Sequence, residues 1–341
     1  MRTGRALRVL ATTNGAGGTW QYSLGLARGL SRIGVDTLLA VLGPEPSAAQ
    51  AMAADAIEGL ELVGTGLALA GAADGAGSLR ATGDELAELA IAHGADLVQL
   101  GTPAIAAQSR FPVPIVAVHH RCAATWWEAA HGTALPPEFA PRSELIRAGL
   151  EAAHIVVTPT AAFGAATQRV YGLPEPPRTV HHGLTPLPVQ RSPHDVAVAV
   201  PLEGPNGVGV MFDNVHSLDT VDEAAPGDRP VFVSTALYEP FGFAVLEAAA
   251  SGCPLILSDI PTFRELWDGV AVFVDPRDEQ GFTRAIADLV ADAFGRAAMG
   301  RAARQRAALY TADAMAAQMA AIYRSLLPPV RRPVLAARAV A

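Results

Sequence analysis

The sequence predicts an α/β fold built from two Rossmann-like domains with parallel sheets. Two observations carry that prediction. Short runs rich in Val, Ile and Leu alternate with longer Ala-rich segments, and Gly or Pro closes most of them. The chain also has 341 residues, 50% hydrophobic and only 17% charged, enough apolar material for two cores. In order, residues 7–13 read as the first strand, 18–32 as a helix stopped at Gly34, and 37–42 as a second strand ended by Gly43 and Pro44. Further strands are predicted at 60–63, 96–100, 114–118 and 154–158, with a helix over 84–93. Residues 1–181 form the first domain on this reading. The second spans 182–310, with strands near 195–200, 230–234, 254–258 and 270–274 and helices over 242–251 and 280–309. A closing helix is expected at 311–327, followed by a disordered tail over 328–341.

Composition narrows the function classes. The apolar runs are too short for a membrane helix, so no transmembrane segment is expected. Arg8 interrupts what would be a leader's apolar region, and a first strand explains that segment better than a signal peptide does. The expected location is the cytoplasm, at most peripheral to a membrane through the arginines of the tail. Cys122 and Cys253 are too few for a disulfide framework and lie in no Cys-x2-Cys pair. A formal charge of −8 argues against general nucleic-acid binding. All of the basic residues are arginine.

The most informative stretch runs from Glu239 to Glu247, EPFGFAVLE, inside VFVSTALYEPFGFAVLEAAASGCPLILSDIPTFRELW. It reads strand, loop, helix, Gly stop, strand and loop. Pro240 suits a helix start, Gly242 permits close backbone approach, and Glu247 is the single charge in an apolar run, where a ligand hydroxyl would satisfy it. Free N–H groups at such a helix start suit a diphosphate. A thin solvated stripe bearing Glu247 is the bland alternative. The strand-loop-helix context with its Glu-x7-Glu signature resembles the retaining glycosyltransferases of family 4, most strongly over residues 230–276. That resemblance implies a GT-B-like fold, with a first domain on the acceptor side and a second that binds a nucleoside-diphosphate sugar donor.

The remaining motifs take their roles from that resemblance. Gly15-Ala-Gly-Gly-Thr-Trp20 follows the first strand, but Trp20 occupies the third glycine position of a dinucleotide fingerprint, and strand two ends without an acid. Family 4 has a short Gly-Gly loop here, and that resemblance implies that the backbone amides at Gly17 and Gly18 face the donor phosphate or the acceptor across the cleft, with the donor favoured; a tight turn needing glycine is the plain alternative, and both can hold. His119-His120 follows the strand at 114–118, and the family's histidine after this strand favours His120, which would donate to a sugar hydroxyl or shuttle a proton. His-His could suggest a metal, but no nearby acid or cysteine completes a site at the usual spacing. The second pair, His181-His182, reads as linker.

The implied function is retaining transfer of a hexosyl group from a nucleotide sugar to a glycan, glycolipid or small-molecule acceptor, with polysaccharide biosynthesis as the setting. Glu239 and His120 are the catalytic candidates. Glu247, Phe241, Gly242, Phe243, Gly17 and Gly18 are the donor-binding candidates, with Glu247 accepting ribose hydroxyls. No cofactor or metal is expected. An acceptor is expected beside Trp126 and Trp127, since aromatic faces suit sugars. The interval from Gly183 to Glu239 is short for the family and lacks its Arg/Lys donor-phosphate segment, so one β–α unit of roughly 30 residues is missing on this reading. Arg121, Arg191, Arg229 and Arg264 are the cations available to compensate, none at the family position. That shortening keeps a second reading open, a degenerate, non-catalytic relative acting as a partner or regulator.

Overall fold

The structure, a computed structural model, describes residues 6–67, 76–185, 196–199 and 230–328. The first unit runs β1 (Leu7–Thr13), α1 (Gly17–Arg32), β2 (Val35–Val41), α2 (Ala48–Asp55), β3 (Leu60–Gly64), α3 (Ala76–Ala92), β4 (Leu97–Leu100), β5 (Ile115–Val118), α4 (Ala123–His131), α5 (Ala140–Ala152), β6 (Ile155–Thr158), α6 (Ala161–Tyr171) and β7 (Arg178–Thr179). The second runs β8 (Val196–Ala199), β9 (Val231–Ser234), α7 (Phe243–Ala250), β10 (Leu255–Ser258), α8 (Pro261–Trp267), β11 (Val272–Val274), α9 (Glu279–Ala291) and α10 (Ala293–Ala307), and α11 (Ala312–Ser325) closes the described chain.

Two parallel sheets result, as the alternating pattern predicts. The first has seven strands in the order β3-β2-β1-β4-β5-β6-β7, and the second has four in the order β11-β10-β9-β8. Every strand pair in both is parallel. Sequence order reverses between β1 and β4, and a switch point of this kind opens a crevice beyond the carboxyl ends of the two strands.

Strands β4, β5, β9 and β10 are buried along their whole length because helices cover both faces, so their sequences are mostly apolar, with Gln99, Ser234 and Ser258 the buried polar exceptions. Helix α11 lays Met315, Ala316, Met319, Ala320 and Tyr323 into the cluster formed by Tyr22, Leu26 and Leu30 of α1 with Val9, Leu97 and Val116. Close approach of α1 and α11 depends on Gly29, where a Cβ would stand 2.6 Å from Ala316 Cβ. A separate cluster around Phe263, Trp267 and Phe241 holds α7, α8 and α10 to the second sheet.

Several elements depart from the sequence expectation. The helix predicted over 280–309 divides at Asp292, whose φ of −103° and ψ of 82° are not helical and whose carboxylate caps α10 by accepting the Gly295 N–H at 2.8 Å. The segment PTFRELW, expected as loop, is α8, with Pro261 in its first turn and Thr262, Phe263, Leu266 and Trp267 buried. Helices α4, α5 and α6 also form where no helix is predicted. Arg191, Arg229, the ends of the strand predicted at 195–200, most of the shortened interval and the tail from 329 lie outside the described residues. No described helix is long and apolar enough to cross a membrane.

Candidate functional site

The turn between β9 and α7 builds one wall of the site. Gly242 caps α7 with φ at +87°, a conformation that side chains with a Cβ rarely adopt, and an added Cβ would lie 3.0 Å from Phe263 Cε1. The turn brings Glu239 back onto its own helix start, where Oε1 accepts the N–H of Gly242 at 3.1 Å and of Phe241 at 3.3 Å. The amides of Phe241 and Gly242, which the sequence reading gives to sugar and phosphate, therefore bond the Glu239 carboxylate in this structure. The reason is local: the N-cap Gly242 has no side chain to cap α7, and the carboxylate three residues before it folds back onto the turn's own N–H groups. Burial pushes the Glu239 pKa up, opposed by the Phe241 amide, the charge of Arg121 and the Gly242 amide. Thr262 of α8 donates to the Glu239 carbonyl at 2.6 Å, which fixes the turn.

The opposite wall comes from the first sheet. Gly18 lies so close to Phe243 that a Cβ there would sit 3.1 Å from the ring, and the Gln21 side chain donates to Glu247 Oε1 at 2.5 Å. Glu247 is thus half-buried and turned toward α1 rather than to open solvent. Gly17, at the start of α1, takes φ of +51° with open space where a Cβ would be.

The two neighbouring histidines diverge beyond β5. His119 is 1% exposed, stacks on Phe163 at 5.3 Å, and has no hydrogen-bond partner for either ring nitrogen among the described residues. Burial pushes its pKa down to about 4. His120 instead faces the crevice, edge-on to Tyr22 at 4.7 Å. Burial and the neighbouring His119 push its pKa down to about 3, which favours the neutral imidazole near neutral pH. Gly18 thus lies against Phe243, Gln21 bonds Glu247, and His182 joins His120 to Phe241 and Phe243, so these residues come together where the two units meet, with Gly17 next to Gly18.

This arrangement has counterparts in known proteins. The family described as Glycosyltransferase Family 4 matches residues 16–186, half of the chain, and Glycosyl transferases group 1 matches residues 226–306. The chain belongs to glycosyltransferase family 4. The solved structure of a sucrose-phosphate synthase from Thermosynechococcus elongatus superposes on this family 4 chain with a TM-score of 0.72 at 18% identity, covering 94% of this chain and 99% of that one. Anabaena HepE, solved in complex with UDP-glucose, gives 0.66 at 15% identity over 94% of this chain and 100% of its own. At these identities the likeness shows the GT-B fold. Among curated sequences, Salmonella typhimurium O-antigen chain mannosyltransferase RfbU is 39% identical over 66 residues, 19% of each chain. Arabidopsis thaliana sucrose-phosphate synthase 1 is 38% identical over 72 residues, 20% of this chain and 7% of that protein. The family 4 chain therefore matches well under two thirds of the length of these curated relatives.

Further residues of this family 4 site escaped the sequence reading. His182, read as linker, is 5% exposed and packed among Tyr22, His120, Phe241 and Phe243 at centroid distances of 4.6 to 5.2 Å. It therefore packs between Tyr22 and His120 of the first unit and Phe241 and Phe243 of the second. Next to it, His181 Nε2 meets Glu265 Oε1 at 2.9 Å, and the same carboxylate accepts the Ala161 and Ala162 N–H groups at 2.9 and 2.7 Å, so an acid of α8 caps α6. Thr160 donates to the Pro240 carbonyl at 2.9 Å, and the Tyr238 hydroxyl accepts the Cys122 N–H at 3.3 Å while lying 2.9 Å from Thr125 Oγ1. The one signal for Tyr238 was its place directly before Glu239.

The cations are unevenly available. Arg264 is held by Asp259 at 2.7 and 2.8 Å and by Asp268 at 3.0 Å, which removes it as a phosphate ligand. Arg121 is exposed and acts on Glu239 through its charge. Trp126 and Trp127 are half-buried and cluster with His131 and Phe139. Among the described residues no group of three or more His, Cys, Asp or Glu is placed to hold a metal ion.

Proposed function

We propose that this family 4 protein transfers a glycosyl group, with retention, from a nucleoside-diphosphate sugar to an acceptor hydroxyl, in polysaccharide or related glycoside assembly. The observation that carries the reading is the pairing of Glu239 and Glu247 across the start of α7, faced by His120 from the other sheet. HepE, a neighbour of the same fold, was solved with UDP and glucose and with UDP-glucose, which supports a donor of that chemical class.

In this mechanism Glu247 accepts ribose hydroxyls, exchanging its bond to Gln21 for the ligand. Glu239 releases the Phe241 and Gly242 amides to the donor and lies beside the sugar ring. The bond between anomeric carbon and β-phosphate oxygen breaks, its electron pair leaving with the diphosphate. The acceptor oxygen bonds the same carbon on the same face, and its proton passes to the departing phosphate oxygen. A carboxylate near the ring stabilises the positive charge that develops, and helix-start amides stabilise the diphosphate. Neutral His120 orients a sugar hydroxyl. Of the described arginines, Arg121 is the one whose charge reaches Glu239, and it faces the diphosphate in this reading. No cofactor takes part, and the protein works in the cytoplasm.

The test is product formation. UDP-, GDP- and ADP-linked hexoses incubated with the protein and mixed acceptors should yield a glycoside seen by mass spectrometry, with the anomeric configuration read by NMR. Absence of transfer from every donor, with nucleotide binding intact, would favour the non-catalytic relative.

A further inference from the structure

The residue before Glu239 reaches across to the first unit. Tyr238 is half-buried, and its hydroxyl oxygen accepts the Cys122 N–H at 3.3 Å while lying 2.9 Å from Thr125 Oγ1. Cys122 is the N-cap of α4 and follows His120 and Arg121 directly in the chain. One side chain therefore joins the turn that carries Glu239 to the segment that carries His120. We propose that Tyr238 is a positioning residue, whose hydroxyl holds Glu239 in register with His120 across the two units. The role rests on the glycosyl-transfer reading above and adds to it a group that acts through Glu239.

The hydrogen bonds around the phenol have one consistent direction. The Cys122 amide can only donate, so the Tyr238 oxygen accepts. Thr125 spends its own proton on the Cys122 carbonyl at 3.2 Å, which leaves its Oγ1 to accept from Tyr238. The chain of bonds thus leaves the Cys122 N–H, passes through both hydroxyls and returns to the Cys122 carbonyl. Thr125 is 1% exposed and Cys122 8%, so water does not stand ready to replace the phenol. Burial raises the Tyr238 pKa, which keeps the hydroxyl protonated and able to donate.

A second bond makes the contact a clamp on Glu239. Thr160, the N-cap of α6, is fully buried and donates to the Pro240 carbonyl at 2.9 Å. The residues on both sides of Glu239 are thus tied to the first unit, while Thr262 holds the Glu239 carbonyl from the second. Among these bonds, those of Tyr238 are the ones that end beside the His120 segment. The Tyr238 ring packs edge-on to Phe163 at 6.3 Å, with an interplanar angle of 72°. That packing needs no hydroxyl, so Tyr238→Phe removes the strut and keeps the ring. Misplacing a reacting group by about 1 Å can cost about 10² in rate, which sets the scale of the expected effect.

The experiment compares the full chain as wild type, Tyr238→Phe, Thr125→Val and the double variant in two measurements. Hydrogen exchange of the Phe241 and Gly242 amides reads how firmly Glu239 is held, since its carboxylate is their acceptor. Release of UDP, GDP or ADP from the corresponding glucose donor gives kcat and KM. The two amides should exchange about tenfold faster in Tyr238→Phe, with the amides of β10 unchanged. In the same variant kcat should fall by about 10 to 10², while the donor KM stays within about twofold. The double variant should match Tyr238→Phe, because the two hydroxyls form one strut. Wild-type exchange at Phe241 and Gly242 in Tyr238→Phe would overturn the role, as would an unchanged kcat or additive losses in the double variant. Failure of the transfer reading shows separately, as no nucleotide release from any donor by wild type, and the exchange measurement then decides whether Tyr238 holds Glu239.

Discussion

Glu239 Oε1 accepts the Gly242 N–H at 3.1 Å, so the acid that opens the Glu-x7-Glu motif closes the start of the helix that ends it. The proposed catalytic carboxylate and the proposed diphosphate amides are each other's partners before ligand arrives. In the proposed function, donor binding would exchange one anion for another at the same amides and free the carboxylate toward the sugar.

Glu239→Gln tests the charge while keeping an oxygen for those amides. Stability should stay within about 1 kcal/mol of wild type, and kcat should fall by about 10² to 10³ as stabilisation of developing charge is lost. Urea unfolding and initial rates measure the two separately. A variant with full activity would remove Glu239 from the chemistry.

Glu265 couples the two sheets through the α6 amides and His181. Truncation by Glu265→Ala keeps the Thr160 cap of α6 but removes the partner of the Ala161 and Ala162 N–H groups, at a cost of about 2 kcal/mol. Denaturant unfolding should show that loss, with Glu265→Gln recovering part of it.

Acid should destabilise the protein through its buried histidines. The folded pKa of His119, about 4, lies below its unfolded value of 6.5, so the unfolded chain takes the proton first. Its contribution is intact above pH 6.5 and is lost as pH falls toward 4. Between pH 7 and pH 5 it amounts to about 2 kcal/mol. Unfolding free energies of wild type and His119→Leu at both pH values should differ in slope by that amount, and equal slopes would contradict the burial account.

Much of the fold and part of the site were legible in the sequence, for identifiable reasons. Strands such as Leu255–Ser258 are buried on both faces and so read as plain apolar runs, and Gly34 and Gly43 marked element ends. Glu239, Glu247 and His120 lay in local patterns that marked them as candidates, and the structure brings Glu247 against α1, Glu239 onto the start of α7 and His120 against Tyr22. Helices α4, α5 and α6 did not stand out, because Ala, Gly and Thr on their buried faces blur the apolar period. Asp292 followed by Gly295 carried a cap signal inside an otherwise continuous helical pattern, and the pattern masked it. Gln21, Thr160, His182 and Glu265 act between the two units, where the hydrogen bonds of Gln21, Thr160 and Glu265 span 226, 80 and 103 residues. Such pairings have no local signature.

Nucleotide-dependent thermal stability of wild type and Glu247→Ala tests the central claim most directly. With UDP, GDP and ADP each in large excess, one nucleoside diphosphate should stabilise wild type by about 2.7 kcal/mol at a hundredfold over Kd and leave Glu247→Ala nearly unmoved. No stabilisation of wild type by any of the three, or equal stabilisation of both proteins, would contradict a donor site at Glu247.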